Sequence, residues 1–266
     1  MRFLATLLLA LLPLLSHAEP RPPLPLEQCV KHAPYGFPTT TKQSTTKICR
    51  EGYVLEHDNV RHIPVWVSYV LTPEQAVGCF PRVTSFVPEP GLPPGASAKM
   101  KDYAKSGYDI GHMANNSDMR WSAATEEESN LFANAAPQLP EFNRGIWKKL
   151  EDGTRGWVLS RKHPVQVQIA PAVDKTDPFM KGTSVPVPHG FVKILTDTVT
   201  GEVQVFYFKH AGSKASLSTF LTTLPNAQQK TGVTFKLPPK PIISTTLWKV
   251  DMKSARTVKS DVCAVR

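Results

Sequence analysis

The sequence has few cysteines, no internal repeat and, after its first 15 residues, no long apolar run. The absence of a C-x-x-C pair argues against a zinc site, because structural zinc sites use closely spaced cysteine and histidine ligands. A helix needs roughly 20 apolar residues to cross a bilayer, and no stretch after residue 15 comes near that length, which argues against a membrane-spanning segment there. What remains is one long chain with ordinary composition, enough for a single large domain with a sizeable core.

The first 18 residues have the pattern of a secretory signal. Met1 and Arg2 form a short positive start, residues 3–15 are almost wholly apolar, and Ser16-His17-Ala18 ends in a small residue. This pattern predicts cleavage after Ala18, whereas a membrane anchor would need a longer apolar run. We therefore expect three parts, namely a signal peptide (1–18), a Pro/Thr-rich extended lead-in (19–47) and a single domain (48–266). The cleaved chain would be periplasmic or secreted and would have no contact with a membrane.

Four cysteines follow the predicted cleavage site, and an even number in an exported chain favours two disulfides. Three pairings are possible, and the sequence does not choose among them. In one of them Cys29 and Cys49 form a local bridge, which leaves Cys79 to hold the C-terminal segment through Cys263.

The chain is basic, with 31 Lys and Arg residues against 22 Asp and Glu residues and a formal net charge of +9. A basic exported protein can bind nucleic acid, anionic lipid or polyanionic glycans. Many exported proteins are basic without any such partner, so charge permits nucleic acid as a partner but does not select it.

Strand and helix patterns alternate in blocks along the chain. Alternating or β-branched runs predict strands within 48–71 and over 165–169, 191–195 and 203–207, and a proline-rich loop over 86–96. Apolar residues at helical spacing predict a helix over 139–152 that stops near Gly153. Thr125 with the three following glutamates predicts a helix start, and 226–232 predicts a short helix. Strands flanking a helical centre predict an α+β fold with a largely antiparallel sheet.

His112 is the natural candidate for a general base. It lies in the stretch Ser106–Ala114, and its ordinary pKa near 6.5 leaves much of the imidazole neutral at physiological pH. The neighbouring Gly111 would let substrate or backbone approach closely.

Asn143, Trp147 and Glu151 recur at every fourth position, so a helix would place them along one side. The amide oxygen of Asn143 can bind a hard cation such as Mg²⁺, which keeps most of its waters. Glu151 could accept hydrogen bonds from those waters, whereas Trp147 is expected to pack in the core.

Three ordered blocks resemble the DNA/RNA non-specific endonuclease family, which includes secreted bacterial nucleases and mitochondrial endonuclease G. The family carries S-G-Y-D-R-G-H, then N-x-x-P-Q, then N-x-x-x-W-x-x-x-E with an arginine four residues further on. The corresponding blocks here are Ser106–His112 with one change, Asn134–Gln138, and Asn143, Trp147, Glu151 and Arg155. Weaker likeness extends from Ile48 to about Phe235.

The resemblance implies a ββα-metal active site in a nuclease domain that hydrolyses DNA, and RNA as well, with little sequence preference. It implies that His112 activates water, that Asn143 is the direct protein ligand of Mg²⁺ (with Mn²⁺ as an alternative ion), and that Glu151 orients the metal-bound waters. No small-molecule cofactor is expected. The substrate contacts and the stabilisation of the phosphate would come from Asp109, Asn134, Arg144 and Arg155.

One position departs from the family pattern, because Ile110 stands where the family has arginine. A lost guanidinium could cost on the order of 2–4 kcal/mol of transition-state stabilisation. Arg120, Arg144 or Arg155 could replace it, activity could be reduced, or the protein could bind nucleic acid without cutting it. A glycan- or envelope-binding structural protein is a third hypothesis, which rests on charge and export alone. We favour an active enzyme, because the base, the ligand and the outer carboxylate are all present.

Overall fold

The computed structural model describes residues 20–250 of the chain. The predicted signal peptide and Cys263 lie outside the described residues. The strands are β1 (Thr39–Thr40), β2 (Thr45–Cys49), β3 (Val54–Asp58), β4 (Ile63–Leu71), β5 (Asp109–His112), β6 (Ala135–Gln138), β7 (Val165–Ala172), β8 (Gly190–Asp197), β9 (Glu202–Lys209), β10 (Val233–Thr234) and β11 (Ile242–Ile243).

A seven-stranded sheet forms the centre of the protein, in the order β11-β9-β8-β7-β4-β3-β2. Its neighbouring strands are antiparallel except for the short parallel pair of β11 and β9. Two further sheets have two strands each, β1 with β10 and β5 with β6. The predicted α+β fold with a largely antiparallel sheet is confirmed.

The helices are short apart from one of 14 residues that packs on a face of the sheet. They are α1 (Pro73–Ala76), α2 (Met100–Tyr103), α3 (Asn116–Met119), α4 (Ala123–Ser129), α5 (Lys148–Arg161) and α6 (Leu224–Thr231). Three 3-10 helices (Leu26–His32, Phe132–Asn134 and Leu217–Phe220) and a π-helix (Phe142–Trp147) that runs directly into α5 complete the set for residues 20–250. None of the helices in this range is long and apolar enough to cross a membrane.

Both faces of the central strands are buried, and the buried residues of β7 include the polar side chains of Gln166 and Gln168. Successive side chains of a strand point to opposite faces of the sheet. On β8, Phe191 and Leu195 pack in the cluster that includes Trp147 of the π-helix, whereas Val192 and Ile194 pack in a second cluster on the other face. The π-helix and α5 therefore rest on the face to which the odd-numbered residues of β8 point.

The segment 19–47 was expected to be an extended lead-in, and its described part belongs to the fold. Residues Leu26–His32 form a 3-10 helix, and Thr45–Cys49 pair with β3 at the edge of the sheet. A disulfide joins Cys29 in this helix to Cys49 at the end of β2, with Cα atoms 5.7 Å apart. This is one of the three pairings that the sequence left open, and the pairing of Cys79 with Cys263 stays a prediction.

The helix predicted over 139–152 does not stop at Gly153. It continues to Arg161, and Lys162 ends it in the left-handed conformation with φ of 58°. Gly153 is buried, and a Cβ atom there would lie in ordinary van der Waals contact with Trp157 and Leu217, at 3.7 and 3.8 Å. Glycine weakens a helix by roughly 1 kcal/mol relative to alanine, and the packing of α5 against the sheet offsets that loss.

Two shorter helices test the capping predictions. Helix α4 begins at Ala123 and is capped by Ser122, whose side chain accepts a hydrogen bond from the Thr125 amide. The prediction of Thr125 as the start was therefore wrong by one turn. The short helix predicted over 226–232 is confirmed as α6, which ends at Gly232 with φ of 68°.

Candidate active site

A ββα unit made of β5, β6 and the helix from Phe142 to Arg161 carries the predicted residues. In the antiparallel pair, Gly111 lies opposite Ala136 and His112 opposite Ala135. A Cβ atom on Gly111 would lie 2.3 Å from the side chain of Gln138, so a larger residue would force that buried side chain to move. The glycine before His112 therefore makes room for Gln138, whereas the sequence suggested substrate or backbone.

An open cavity of about 600 Å³ lies beside this unit, and we call it the active-site cavity. Its lining includes most of the residues that the sequence and the resemblance singled out: Asp109, Ile110, His112, Asn143, Arg144, Glu151 and Arg155. The fold thus brings together side chains that are separated by up to 46 positions in the chain, from Asp109 to Arg155.

Asn134 is the predicted site residue that does not line this cavity. Its side chain is fully buried, and its Oδ1 accepts a hydrogen bond from the amide of Ala114 at 2.8 Å. Its Nδ2 donates to the carbonyls of Ala114 and Ser129 at 3.0 and 2.9 Å. In this geometry Asn134 fixes the backbone that follows His112, and its predicted contact with substrate stays a prediction.

The imidazole of His112 is held by a residue that the sequence did not indicate. Its Nε2 lies 3.0 Å from Oδ1 of Asn130. The amide nitrogen of Asn130 donates to the carbonyl oxygen of Glu126 at 3.0 Å, which fixes the orientation of that amide. Because Oδ1 can only accept, Nε2 carries the proton and Nδ1 keeps its lone pair. This is the tautomer that a general base needs.

Burial is the main influence on the acidity of His112, and it lowers the pKa of the imidazole from 6.5 to about 4. The hydrogen bond with Asn130 opposes this shift, and the positive charge of Arg82 adds to it. A depressed pKa means that the neutral ring is the dominant form throughout the physiological range. The base is therefore ready to accept a proton at neutral pH.

Asp109 orients the candidate metal ligand. Its Oδ2 accepts a hydrogen bond from Nδ2 of Asn143 at 2.9 Å and another from Nε of Arg144 at 2.9 Å. With its nitrogen so held, Asn143 has its amide oxygen available as an acceptor. Asn143 lies two residues before Gly145, whose backbone is not helical (φ −103°, ψ −110°), so the chain is kinked between Asn143 and α5.

Glu151 lies in α5, eight residues after Asn143 and beyond the kink at Gly145, and both side chains line the cavity. Its side chain is buried, and burial raises the pKa of its carboxyl group. The positive charges of Lys193 and Arg155 oppose this rise. Trp147, between Asn143 and Glu151, is completely buried and packs on Phe191, which confirms its assignment to the core.

The three arginines proposed to replace the missing cation at position 110 lie in different surroundings. The side chain of Arg120 donates to the carbonyl of Phe80 and does not line the cavity. Arg155 lines it, but its guanidinium is bound by the carboxylates of Asp118 and Asp152. Arg144 is exposed and forms an ion pair with Asp109.

Arg82 is a further cation on the cavity wall, and no sequence pattern indicated it. It lies in the long loop before α2, where the amide of the next residue, Val83, donates to the buried carboxylate of Glu126. Within residues 20–250 no acidic partner pairs with Arg82. Its guanidinium therefore remains available for an anion.

Comparison with known proteins agrees with this geometry. The profile of the DNA/RNA non-specific endonuclease family matches residues 31–240. The chain belongs to this family. The protein also shares the fold of a solved structure described as the EndoG/EndoGI complex. That comparison gives a TM-score of 0.66 at 25% identity and covers 77% of this chain and 90% of that one.

Several relatives in the DNA/RNA non-specific endonuclease family are nucleases by name. The chain is similar to mitochondrial nuclease EXOG of Xenopus laevis, with 33% identity over 52% of this chain and 37% of the relative. Human mitochondrial endonuclease G is 28% identical over 76% of this chain and 72% of the relative. A nuclease of Syncephalastrum racemosum is 30% identical, over 70% and 66% respectively. The chain spans less than two thirds of the length of the EXOG relatives that it matches.

The cavity of this family member fits a hard divalent cation. The described lining contains no cysteine and offers the free amide oxygen of Asn143 and the carboxylate of Glu151. Mg²⁺ takes oxygen ligands and keeps several waters with only one or two protein ligands, and Mn²⁺ accepts similar donors. Asn143 would hold such an ion directly and Glu151 would bind its waters.

Another group of metal-binding residue types lies outside the cavity. Asp174, Asp177 and His189 offer ligand atoms within 4.8 Å of one another, and Nδ1 of His189 is hydrogen-bonded to Asp177 at 2.8 Å. Asp174 is exposed, and this group shares no residue with the cavity lining. It is separate from the predicted metal centre.

Proposed function

We propose that the protein is a divalent-metal-dependent endonuclease that hydrolyses phosphodiester bonds of DNA, and of RNA, with little sequence preference. The observation that carries this proposal is the meeting of His112, Asn143 and Glu151 in one cavity, with Nδ1 of the imidazole free to accept a proton. Membership of the endonuclease family supports the same reaction class.

The chain's residues have distinct parts in the proposed reaction. Nδ1 of His112 removes a proton from the attacking water, and the hydrogen bond from Nε2 to Asn130 keeps the ring in the required tautomer. When bound, Mg²⁺ would offset the negative charge of the phosphate, and its acidified waters would be the source of the proton for the leaving oxygen. Asn143, oriented by Asp109, would hold that ion. Arg82 and Arg144 attract the phosphate backbone to the mouth of the cavity.

The expected substrate preference follows from the charges on the cavity wall. Arginine side chains that bind phosphates do not read sequence, because the phosphates are the same at every base pair. We identify no dedicated base-reading module in the sequence. Cleavage is therefore expected on supercoiled, linear and single-stranded substrates alike, and the 2′-hydroxyl of RNA need not block it.

Ile110 motivates an alternative function, which is nucleic-acid binding with weakened catalysis. Ile110 lines the cavity and packs partly against the apolar core. An apolar side chain at this position cannot stabilise charge on a phosphate. The other cationic side chains on the wall, Arg82 above all, favour the active enzyme over this alternative.

The deciding experiment is a plasmid assay with purified protein that lacks residues 1–18. Supercoiled DNA and a single-stranded RNA should be degraded with Mg²⁺ or Mn²⁺, and excess chelator should stop both reactions. Salt-sensitive DNA binding without cleavage in any of these metals would support the alternative. Equal binding to heparin and DNA, with no effect of metal, would instead support a glycan-binding protein.

Export is a separate proposal, and it rests on the first 18 residues alone. We propose that the signal is removed after Ala18 and that the enzyme acts in the periplasm or outside the cell. N-terminal sequencing of the protein made by its native host should begin at Glu19. An intact N-terminus on protein from the cytoplasm would contradict this proposal, while leaving the nuclease activity unaffected.

A further inference from the structure

A lysine occupies the centre of the sheet, on the face that α5 covers. Lys193 is in the middle of β8, between Phe191 and Leu195 on the same face, and its side chain is 1% exposed. An ammonium group in such apolar surroundings is strongly unfavourable unless an opposite charge or another strong partner compensates for it. The ammonium group of Lys193 therefore needs a compensating partner close by.

The ammonium of Lys193 contacts two residues of the helix that presents the metal site. Its Nζ lies 3.7 Å from Oε1 of Glu151 and 4.1 Å from the centre of the Trp147 ring. The first contact is an ion pair between two buried side chains, and the second is a cation–π interaction. Lys193 thus contacts Glu151 from the sheet that α5 covers, on the side away from solvent.

Other charges surround Glu151, but they are engaged elsewhere. The guanidinium of Arg155 is held by Asp118 and Asp152, and Asp118 also accepts a hydrogen bond from the hydroxyl of Tyr69 at 2.6 Å. Lys193 has no other salt bridge within residues 20–250. It is therefore the counter-ion of Glu151.

We propose that Lys193 is a positioning residue for the metal centre. Its ammonium keeps the Glu151 carboxylate ionised and turned toward the cavity, where that carboxylate accepts hydrogen bonds from cation-bound waters. This inference rests on the proposed function, because it assigns Glu151 the outer position beside a cation held by Asn143. Lys193 itself touches neither the cavity nor the substrate.

A purely structural role makes a different prediction. Replacing a buried ion pair by apolar or neutral side chains of similar size is often neutral or stabilising, whereas removing one partner leaves a buried uncompensated charge. If stability were the only purpose of Lys193, a folded Lys193→Met variant would keep the Mn²⁺ affinity of the wild type. If Lys193 acts through Glu151, Lys193→Met weakens the binding of the cation, and adding it to Glu151→Gln restores stability without weakening that binding further.

The test compares four proteins, which are wild type, Lys193→Met, Glu151→Gln and the double variant. Lys149→Met, at an exposed position of the helix that carries Glu151, is the control. Mn²⁺ affinity is measured by electron paramagnetic resonance without nucleic acid, and stability by chemical denaturation. Changes in the second shell typically weaken metal binding about 10- to 100-fold. We expect a loss of this size in both single variants and no further loss when Lys193→Met is added to Glu151→Gln.

Three outcomes would overturn the inference. They are wild-type Mn²⁺ affinity in Lys193→Met, losses that multiply in the double variant, and recovery of Mn²⁺ affinity together with stability in the double variant. If Lys193→Met does not fold, Lys193→Gln is measured in its place, and wild-type Mn²⁺ affinity in that variant would equally overturn the inference. A wild-type protein that binds no Mn²⁺ and cuts no DNA would refute the proposed function itself, which is a distinct result.

Discussion

Nε2 of His112 lies 3.0 Å from Oδ1 of Asn130, and Asn130 is itself held by the backbone of Glu126. This relationship places the proton of the imidazole on the nitrogen that faces the protein interior. Asn130 does not line the cavity, so its influence on the reaction passes through His112. Several measurable consequences follow from this arrangement and from the charges around it.

Replacing Asn130 with alanine should slow cleavage while leaving DNA binding unchanged. A positioned general base contributes about 10²–10⁴-fold to a rate, and loss of the fixed tautomer should remove at least about tenfold of it. The measurement is kcat on a fluorescent duplex, with Asn226→Ala on α6 as a matched control. A variant with wild-type kcat would show that the hydrogen bond is not needed for the base.

The imidazole of His112 should titrate near pH 4, well below its ordinary value of 6.5. Because the pKa is lowered, protonation of His112 should not limit cleavage until the pH falls toward 4. Nuclear magnetic resonance of the ring protons gives the pKa directly. In Arg82→Ala the value should rise, since a nearby positive charge is removed. A midpoint near 6.5 in the wild type would contradict the account of burial.

Introducing arginine at position 110 should accelerate cleavage. Electrostatic groups that contact a developing charge supply on the order of 2–4 kcal/mol in other enzymes, and Ile110→Arg would add one to the cavity wall. The increase should appear in kcat with little change in the stability of the protein. Ile110→Met provides the uncharged control. An unchanged rate in a folded Ile110→Arg variant would mean that other cations already fill this role.

Arg82→Ala should weaken nucleic-acid binding by the same factor for every sequence. A single lost phosphate contact reduces the slope of log affinity against log salt by about 1. Binding is measured in chelator with several duplexes, and Arg61→Ala, in the turn after β3, is the control. Loss confined to one sequence would instead indicate that Arg82 reads a base.

The sequence predicted the parts of the site that local spacing determines. The spacing of Asn143 and Glu151 indicated that they lie close together, which the structure shows even though Gly145 interrupts the helix between them, and the blocks around His112 and Asn143 matched a family pattern. Gly111 was also singled out, but its partner was not. Only the pairing of β5 with β6 reveals that it makes room for Gln138.

Residues that act from a distance could not be predicted in this way. Asn130, Arg82 and Lys193 belong to a buried turn, a loop and a central strand, and no periodic pattern links them to the site. Their proximity depends on tertiary packing, just as the continuation of α5 beyond Gly153 does. Lys193 left a weak signal, since a lysine amid Phe191–Leu195 interrupts an otherwise apolar strand.

The most direct test of the central claim is the rate of plasmid cleavage by His112→Ala compared with wild type, in Mg²⁺ and in chelator. The account predicts metal-dependent cleavage by the wild type, a loss of about 10²–10⁴-fold in the variant, and unchanged DNA binding by both proteins. Cleavage by His112→Ala at the wild-type rate would contradict the assignment of His112 as the base.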